Sequence, residues 1–243
     1  MGKFSGRRAL VTGAGSGIGR ATALKLAEMG AEVFALSKTA ENLESLRAEC
    51  PSIKTVCVDL SDWTSTREAV QKVVPIHLLV NNAAVAALEP FLTTSPETLD
   101  RLINVNVKAM MNISQVVAGD LVSREGRGSI VNVSSQAGQR PIVDHTAYSC
   151  SKAAVDMMTK MMALELGPKR IRVNAVSPTV VMTAMGRLGW SDPAKAGPML
   201  ARIPQGRFAE VDDVVNAITY LLGDESDMVN GHMLPVDGGF LAV

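Results

Sequence analysis

Apolar positions along the chain alternate between two periods. Runs of four to six residues at 8–12, 32–36, 53–58, 77–80, 128–133, 171–176 and 232–236 are bounded by glycine or polar residues and have the length of buried strands. Between them, residues 20–29, 40–48, 64–73, 96–118, 147–166 and 211–222 carry apolar side chains at helical spacing. Strands that alternate with helices predict a parallel sheet, right-handed crossovers and a ligand crevice at the carboxyl ends of the strands. The expected fold is α/β: one Rossmann-like, doubly wound domain over residues 1–243. The pattern loosens at 180–206, where Gly186, Gly189, Pro193, Gly197, Pro198 and Pro204 interrupt it, as in a lid over a site. In the helix at 147–166, Ala153, Ala154, Met157, Met158, Met161 and Met162 are expected to pack against neighbouring helices.

The first strand runs into Gly13-Ala14-Gly15-Ser16-Gly17-Ile18-Gly19 and then a helix. Glycines let a backbone approach a pyrophosphate, and the free amides at a helix start attract it. Strand before and helix after favour a dinucleotide site over a mere tight turn. A coenzyme without a 2′-phosphate would call for a carboxylate about 20 residues further on. The second strand ends instead in Ser37-Lys38-Thr39, where nothing repels a 2′-phosphate and Lys38 can pair with it, so NADPH is the expected coenzyme. An ordinary solvated lysine is the plainer reading of Lys38. Asp59, after the third strand, is placed either to accept from an adenine amino group or to cap the next turn. Asn81-Asn82-Ala83-Ala84 follow the fourth strand, and small residues there let a coenzyme lie flat on the chain.

Tyr148 and Lys152 are four apart on a predicted helix and share one of its faces. A phenol with an ordinary pKa of roughly 10 is a poor proton source near neutrality, and a nearby cation moves it towards working pH. Tyr148 is therefore a candidate general acid, Lys152 its tuner, and Ser135, thirteen residues before the tyrosine, a hydroxyl that the preceding strand delivers to the same edge. Asn106 lies within the long helix at 96–118 and either joins this set or bonds backbone there. Gln136, His145 and Trp190 are the polar and aromatic side chains expected to reach a small polyol, with packing of the lid as the plainer reading of Trp190.

Composition narrows the rest. Lys+Arg and Asp+Glu both number 24, so no general attraction to nucleic acid or an anionic membrane is expected. The three cysteines, Cys50, Cys57 and Cys150, are scattered in a chain large enough to fold without staples, which points to a reducing, cytoplasmic setting. Neither they nor the three histidines have metal-ligand spacing, so no metal is expected. Residues 1–9 lack an apolar leader core, and no apolar run reaches the ~18 residues of a membrane span.

Taken together, Thr12-Gly13-x3-Gly17-Ile18-Gly19, Asn81-Asn82-Ala83, Asn106, Ser135 and Tyr148-x3-Lys152 resemble the motifs of the short-chain dehydrogenase/reductase family, in its order and over nearly the whole chain. The resemblance implies a homotetramer that uses NADPH/NADP+ to reduce ketoses such as L-xylulose and α-dicarbonyls such as diacetyl. It implies Asn106, Ser135, Tyr148 and Lys152 as the catalytic set, with Asn106 holding a water that links Lys152 to solvent. Asp59 would lie on the adenine with Leu60 beside it, Asn82 or Ala83 at the ribose, and Thr183 near the carboxamide. The chain departs from the pattern twice. Ala84 stands where many members have glycine, and Ser16 where a basic residue often grips the 2′-phosphate, which puts more of the coenzyme choice on Lys38. A 3-oxoacyl-carrier-protein reductase or a hydroxysteroid dehydrogenase would share these residues, and a catalytically idle coenzyme-binding scaffold would keep only some.

Overall fold

Successive strand residues point to opposite faces, and a strand covered on both sides feeds two cores at once. In the computed structural model, which describes residues 2–243, β1 (Arg8–Thr12) sends Ala9 and Val11 to one face and Leu10 to the other. Likewise β2 (Glu32–Ser37) divides Val33 and Ala35 from Phe34 and Leu36. β3 (Lys54–Cys57), β4 (Leu78–Asn81), β5 (Gly128–Val133), β6 (Ile171–Pro178) and β7 (Met233–Val236) complete a seven-stranded sheet in the order β3-β2-β1-β4-β5-β6-β7, every pairing parallel.

Helices cover both faces. α1 (Gly17–Glu28), α2 (Ala40–Glu49) and α9 (Val211–Leu222) bury Ala23, Leu26, Leu43, Leu46, Val214 and Ile218 on one side. On the other, α3 (Trp63–Gln71), α5 (Ala109–Ser123) and α6 (Thr146–Leu166) supply Val70, Ile113, Val117, Leu121 and Ala163. The chain runs outward in one direction from β1 to β3 and in the other from β4 to β7, so the crevice opens where β1 and β4 lie side by side.

Three expectations need correction. The helix expected at 96–118 reaches Ser123 and is not uniform: α4 (Pro96–Ile103) passes into a π-helical turn at Asn104–Lys108 before α5 begins. Such turns absorb an extra residue and recur at functional sites. The methionine stripe of α6 does not pack as expected, since Ala153, Met157 and Met161 are exposed and only Met162 touches the core. The buried face of α6 is a quarter-turn away, at Lys152, Val155, Asp156, Thr159 and Ala163, and three of those side chains are polar. Residues 180–206 are not loose throughout. α7 (Ala184–Gly189) and α8 (Pro193–Leu200) form there, and Ala196, Met199, Ile203, Phe208 and Phe240 make a third, small apolar cluster beneath them.

Candidate active site

The cleft at the switch point is walled by the end of β1, the start of α1, the ends of β2 to β4 and Thr183. Its lining includes Gly13, Ser16, Gly17, Ile18, Ser37, Lys38, Thr39, Asp59, Leu60, Asn82, Ala83 and Ala84, and it encloses about 670 Å³. Gly13 has φ +64°, and a Cβ on it would lie 2.8 Å from the Ala83 Cα, so the turn closes only without a side chain. Gly19, outside the lining, does the same for the helix: a Cβ there would collide with the Gly13 carbonyl. One hydroxyl sets the floor. Thr12 Oγ1 accepts from the amides of Asn82 and Ala83, each at 3.0 Å, and faces the Val80 carbonyl at 3.4 Å. The Asn82 side chain donates to the Thr12 carbonyl at 2.9 Å, so this asparagine braces the glycine turn as well as lining the cleft.

The start of α1 is free to hold an anion, because Ser16 at its N-cap makes no side-chain capping bond; Thr39 at the start of α2 makes none either. These features fit a dinucleotide phosphate. Asp59 plays the capping role left open above: its Oδ1 accepts from Ser61 N at 2.9 Å and Ser61 Oγ at 2.8 Å. Those bonds, with the Lys38 charge, hold its carboxyl below the ordinary value.

Beyond β5, Ser135 and the turn Gln136–Gly138 face α6. Lys152 is 2 % exposed; its Nζ donates to the Val133 carbonyl at 2.8 Å and stands 5.7 Å from the centre of the Tyr148 ring. Burial lowers its pKa to about 8, against which Asp156 pulls upward. The Tyr148 ring is reached from the pocket, yet burial dominates around its hydroxyl and raises the phenol, with Ser135 lowering it by a hydrogen bond. Lys152 was expected to pull the phenol down. It is not among the groups that set the resting phenol, where burial leads, and its ammonium is engaged with the Val133 carbonyl.

Asn106 is fully buried in the π-helical turn. Its Oδ1 accepts from Val85 N at 2.8 Å, and its Nδ2 donates to Val85 O and Ser151 Oγ, each at 3.0 Å. The side chain thus ties three segments together: the π turn, the loop after β4 and α6. It does not bond within its own helix.

A second pocket, of about 400 Å³, opens beside Tyr148 and is lined by Ser135, Gln136, His145, Thr179, Thr183 and Trp190 among mainly apolar neighbours such as Leu88, Ile142, Val181 and Met199. The two clefts share Thr183, whose Oγ1 also accepts from Gly186 N at 3.0 Å and caps α7. A reducing group held in the larger cleft and a carbonyl held in the smaller one would meet there, over Ser135 and Tyr148.

Residues 13–241 match the family model described as enoyl-(acyl carrier protein) reductase. L-xylulose reductase of Mesocricetus auratus is 59 % identical over 238 residues, 98 % of each chain. Carbonyl reductase [NADPH] 2 of Sus scrofa is 52 % identical over 98 % of each. Among solved structures, a gluconate 5-dehydrogenase from Burkholderia cenocepacia in complex with NADP and tartrate superposes with TM-score 0.93 at 31 % identity, covering 99 % of this chain and 98 % of that one. The chain belongs to the short-chain dehydrogenase/reductase family. It is an oxidoreductase of the alcohol and carbonyl class.

In this short-chain dehydrogenase/reductase, Gly13, Ser16, Gly17, Ile18, Ser37, Lys38, Thr39, Asp59, Leu60, Asn82, Ala83, Ala84 and Thr183 line one cleft; of the other residues expected at the coenzyme, Gly19 and Lys152 line neither cleft and Tyr148 lies with Ser135 in the adjoining pocket. Gln136 is 2 % exposed and its Oε1 has no hydrogen-bond partner among the described residues, which leaves that oxygen for the pocket. The His145 ring meets Tyr148 edge-on at 6.2 Å, with its Nδ1 2.6 Å from the Val143 carbonyl. Trp190 lines the pocket and also packs edge-on against Phe208 at 5.4 Å. Sequence reasoning missed Asn42, Val85 and Val105 in the coenzyme cleft and Thr179 and Met199 in the pocket. Thr179, directly after β6, had a signal in Ser177-Pro178-Thr179 at a strand end; the apolar residues had none.

Proposed function

We propose that this short-chain dehydrogenase/reductase uses NADPH to reduce small ketoses such as L-xylulose and α-dicarbonyls such as diacetyl. The observation that carries this reading is the junction at Thr183 of a dinucleotide-sized cleft and a small pocket holding Ser135 and Tyr148. Its similarity to L-xylulose reductases and to a carbonyl reductase [NADPH] supports that substrate class. Lys38, Ser37, Thr39 and Ser16 would hold the 2′-phosphate and pyrophosphate end, Asp59 and Leu60 the adenine, and Asn82, Ala83 and Lys152 the ribose.

When bound, NADPH supplies the hydride. Tyr148 gives its proton to the carbonyl oxygen as charge develops there, and Ser135 hydrogen-bonds that oxygen and fixes its direction. Gln136 and His145 take the hydroxyls of a small polyol; Trp190 and the segment 180–206 cover it as a lid. Asn106 acts as a brace that holds α6 in register with the loop after β4, and through that contact supports a water relay from Lys152.

The assembly we propose is a homotetramer in the cytoplasm. Met111, Val122, Met157, Met161 and Leu164 present an apolar face on α5 and α6, with Leu164 71 % exposed, which suits burial against a second copy of the chain. The three cysteines are free, as a reducing compartment requires. No helix of the described residues is long and apolar enough to cross a membrane.

The apolar walls of the pocket and the description of the family model favour, as a second reading, an acyl or steroid carbonyl substrate such as that of a 3-oxoacyl-carrier-protein reductase or a hydroxysteroid dehydrogenase. An idle coenzyme-binding scaffold is opposed by the assembled Ser135, Tyr148 and Lys152. NADPH oxidation measured with L-xylulose, diacetyl and an acyl thioester separates the three: turnover on the first two supports the proposal, turnover on the thioester alone supports its rival, and none supports the scaffold.

A further inference from the structure

Asp156 is the one buried carboxyl on the catalytic helix, and the roles given above leave it unused. It stands one turn beyond Lys152 and two beyond Tyr148, on the same face of α6. It is 8 % exposed, and neither carboxylate oxygen has a well-formed hydrogen bond among the described residues. Burial raises its carboxyl above the ordinary value, against which Ser134 Oγ, aligned with the Lys152 carbonyl at 3.4 Å, and the charges of Lys152 and Lys160 pull downward. The turn that follows Ser135 presses on the same spot, since a Cβ on Gly138 would lie 3.1 Å from Asp156 Oδ2 and 2.9 Å from the Lys152 carbonyl carbon.

A carboxyl shut away from water and short of donors is costly, and packing alone would be served better by an apolar residue. Its nearby charges explain its position. Lys152, buried, and Lys160, exposed, both on α6, are the cations that act on it; β5 and the turn Gln136–Gly138, packed against it, face it with Ser134 and Gly138 and no ionisable group. Among the described residues the charge that acts on Lys152 is that of Asp156, and its Nζ bonds the Val133 carbonyl.

We propose that Asp156 is a positioning residue that acts through Lys152: its buried carboxylate, one helical turn away and with no better partner, keeps the lysine an ammonium at working pH. This rests on the reductase reading above. Burial governs the neutral phenol at rest; the ammonium, 5.7 Å from its ring centre, acts when charge forms there, as the proton leaves in reduction and as the phenolate serves as base in the alcohol-oxidising direction. Burial alone would neutralise the lysine early, and the carboxylate delays that loss. Asp156 touches neither substrate nor coenzyme, so its effect lies in the pH at which Lys152 loses its proton.

The test is the pH profile of alcohol oxidation by the whole enzyme with NADP+, wild type against Asp156→Asn, a replacement of nearly the same shape. We expect the alkaline limb to move down by roughly one pH unit, with NADPH affinity unchanged. An unmoved alkaline limb overturns the inference, whether or not kcat falls, because a merely structural role lowers the rate without shifting the limb. Should the variant fail to fold, the carboxyl 13C resonance of Asp156 in wild type decides: ionisation complete below pH 7 supports the inference, and a carboxyl still protonated there overturns it. Wild-type turnover in the same assay reports on the reductase reading separately.

Discussion

The two clefts that meet at Thr183 are made in different ways. The coenzyme cleft is built from consecutive residues at the ends of β1 to β4, and its shape rests on backbone: Gly13 at positive φ, the Thr12 hydroxyl on two amides, the uncapped start of α1. The second pocket, proposed for the substrate, collects single residues from widely separated segments, Leu88, Ser135, His145, Val181, Trp190 and Met199, and most of its wall is apolar side chain. Backbone geometry tolerates little variation, whereas side-chain walls can change one residue at a time. On the proposed reading, one cleft seats the coenzyme and the other brings Ser135 and Tyr148 to whichever carbonyl its side-chain walls admit.

The largest test of that division is Tyr148→Phe. Removing the acid should cost roughly a thousandfold in kcat while leaving the Kd for NADPH near wild type; retained turnover would contradict the acid role. Next comes Lys152, whose folded pKa of about 8 lies below its ordinary 10.5. The unfolded chain then holds the proton more tightly, so the buried lysine destabilises the fold below pH 8 and that penalty fades as pH rises from about 8 to 10.5. Denaturant melts of wild type and Lys152→Met across that window should show the wild type gaining about 3 kcal/mol relative to the variant. A constant difference would mean that the lysine is not desolvated.

Coenzyme choice should respond more mildly. Ser37→Asp with Lys38→Ala introduces a repulsive carboxylate and removes a charge-assisted bond worth about 1.5–3 kcal/mol. Preference, read as the ratio of kcat/KM for NADPH and NADH, should move ten- to a hundredfold towards NADH on that figure. If the ratio holds, another residue reads the phosphate, and Asn42 in the same cleft is the place to look. The smallest expected effect is Trp190→Ala: KM for L-xylulose up roughly tenfold, with NADPH binding unaffected. A change in coenzyme binding instead would mean that the clefts are not separable.

The sequence made the first cleft legible because its signals are local. A strand that runs into glycines, then an amphipathic helix, states its own geometry, and the observed β1, β5 and α9 end where the pattern says. The Tyr148 to Lys152 spacing likewise placed both groups on one helix face. What failed depends on contacts between distant segments. The π-helical turn exists where Asn106 reaches Val85 and Ser151, pairings invisible to periodicity. The methionines of α6 read as core because they are apolar, while the true buried face holds Lys152 and Thr159, each bonded to a group on β5, and Asp156, packed under the turn that follows. The tuning of the phenol was misjudged for a related reason: spacing tells which charges are near, and desolvation needs the whole surround.

The Thr12 hydroxyl has a further implication for how the enzyme meets its surroundings. It anchors the bed of the coenzyme cleft through neutral partners alone, the amides of Asn82 and Ala83 and the Val80 carbonyl. Nothing in that arrangement gains or loses a proton between mild acid and mild alkali, and salt has little to screen. Swings in acidity should accordingly reach turnover from the side of the lysine and the phenol, while the seat of the dinucleotide keeps its shape.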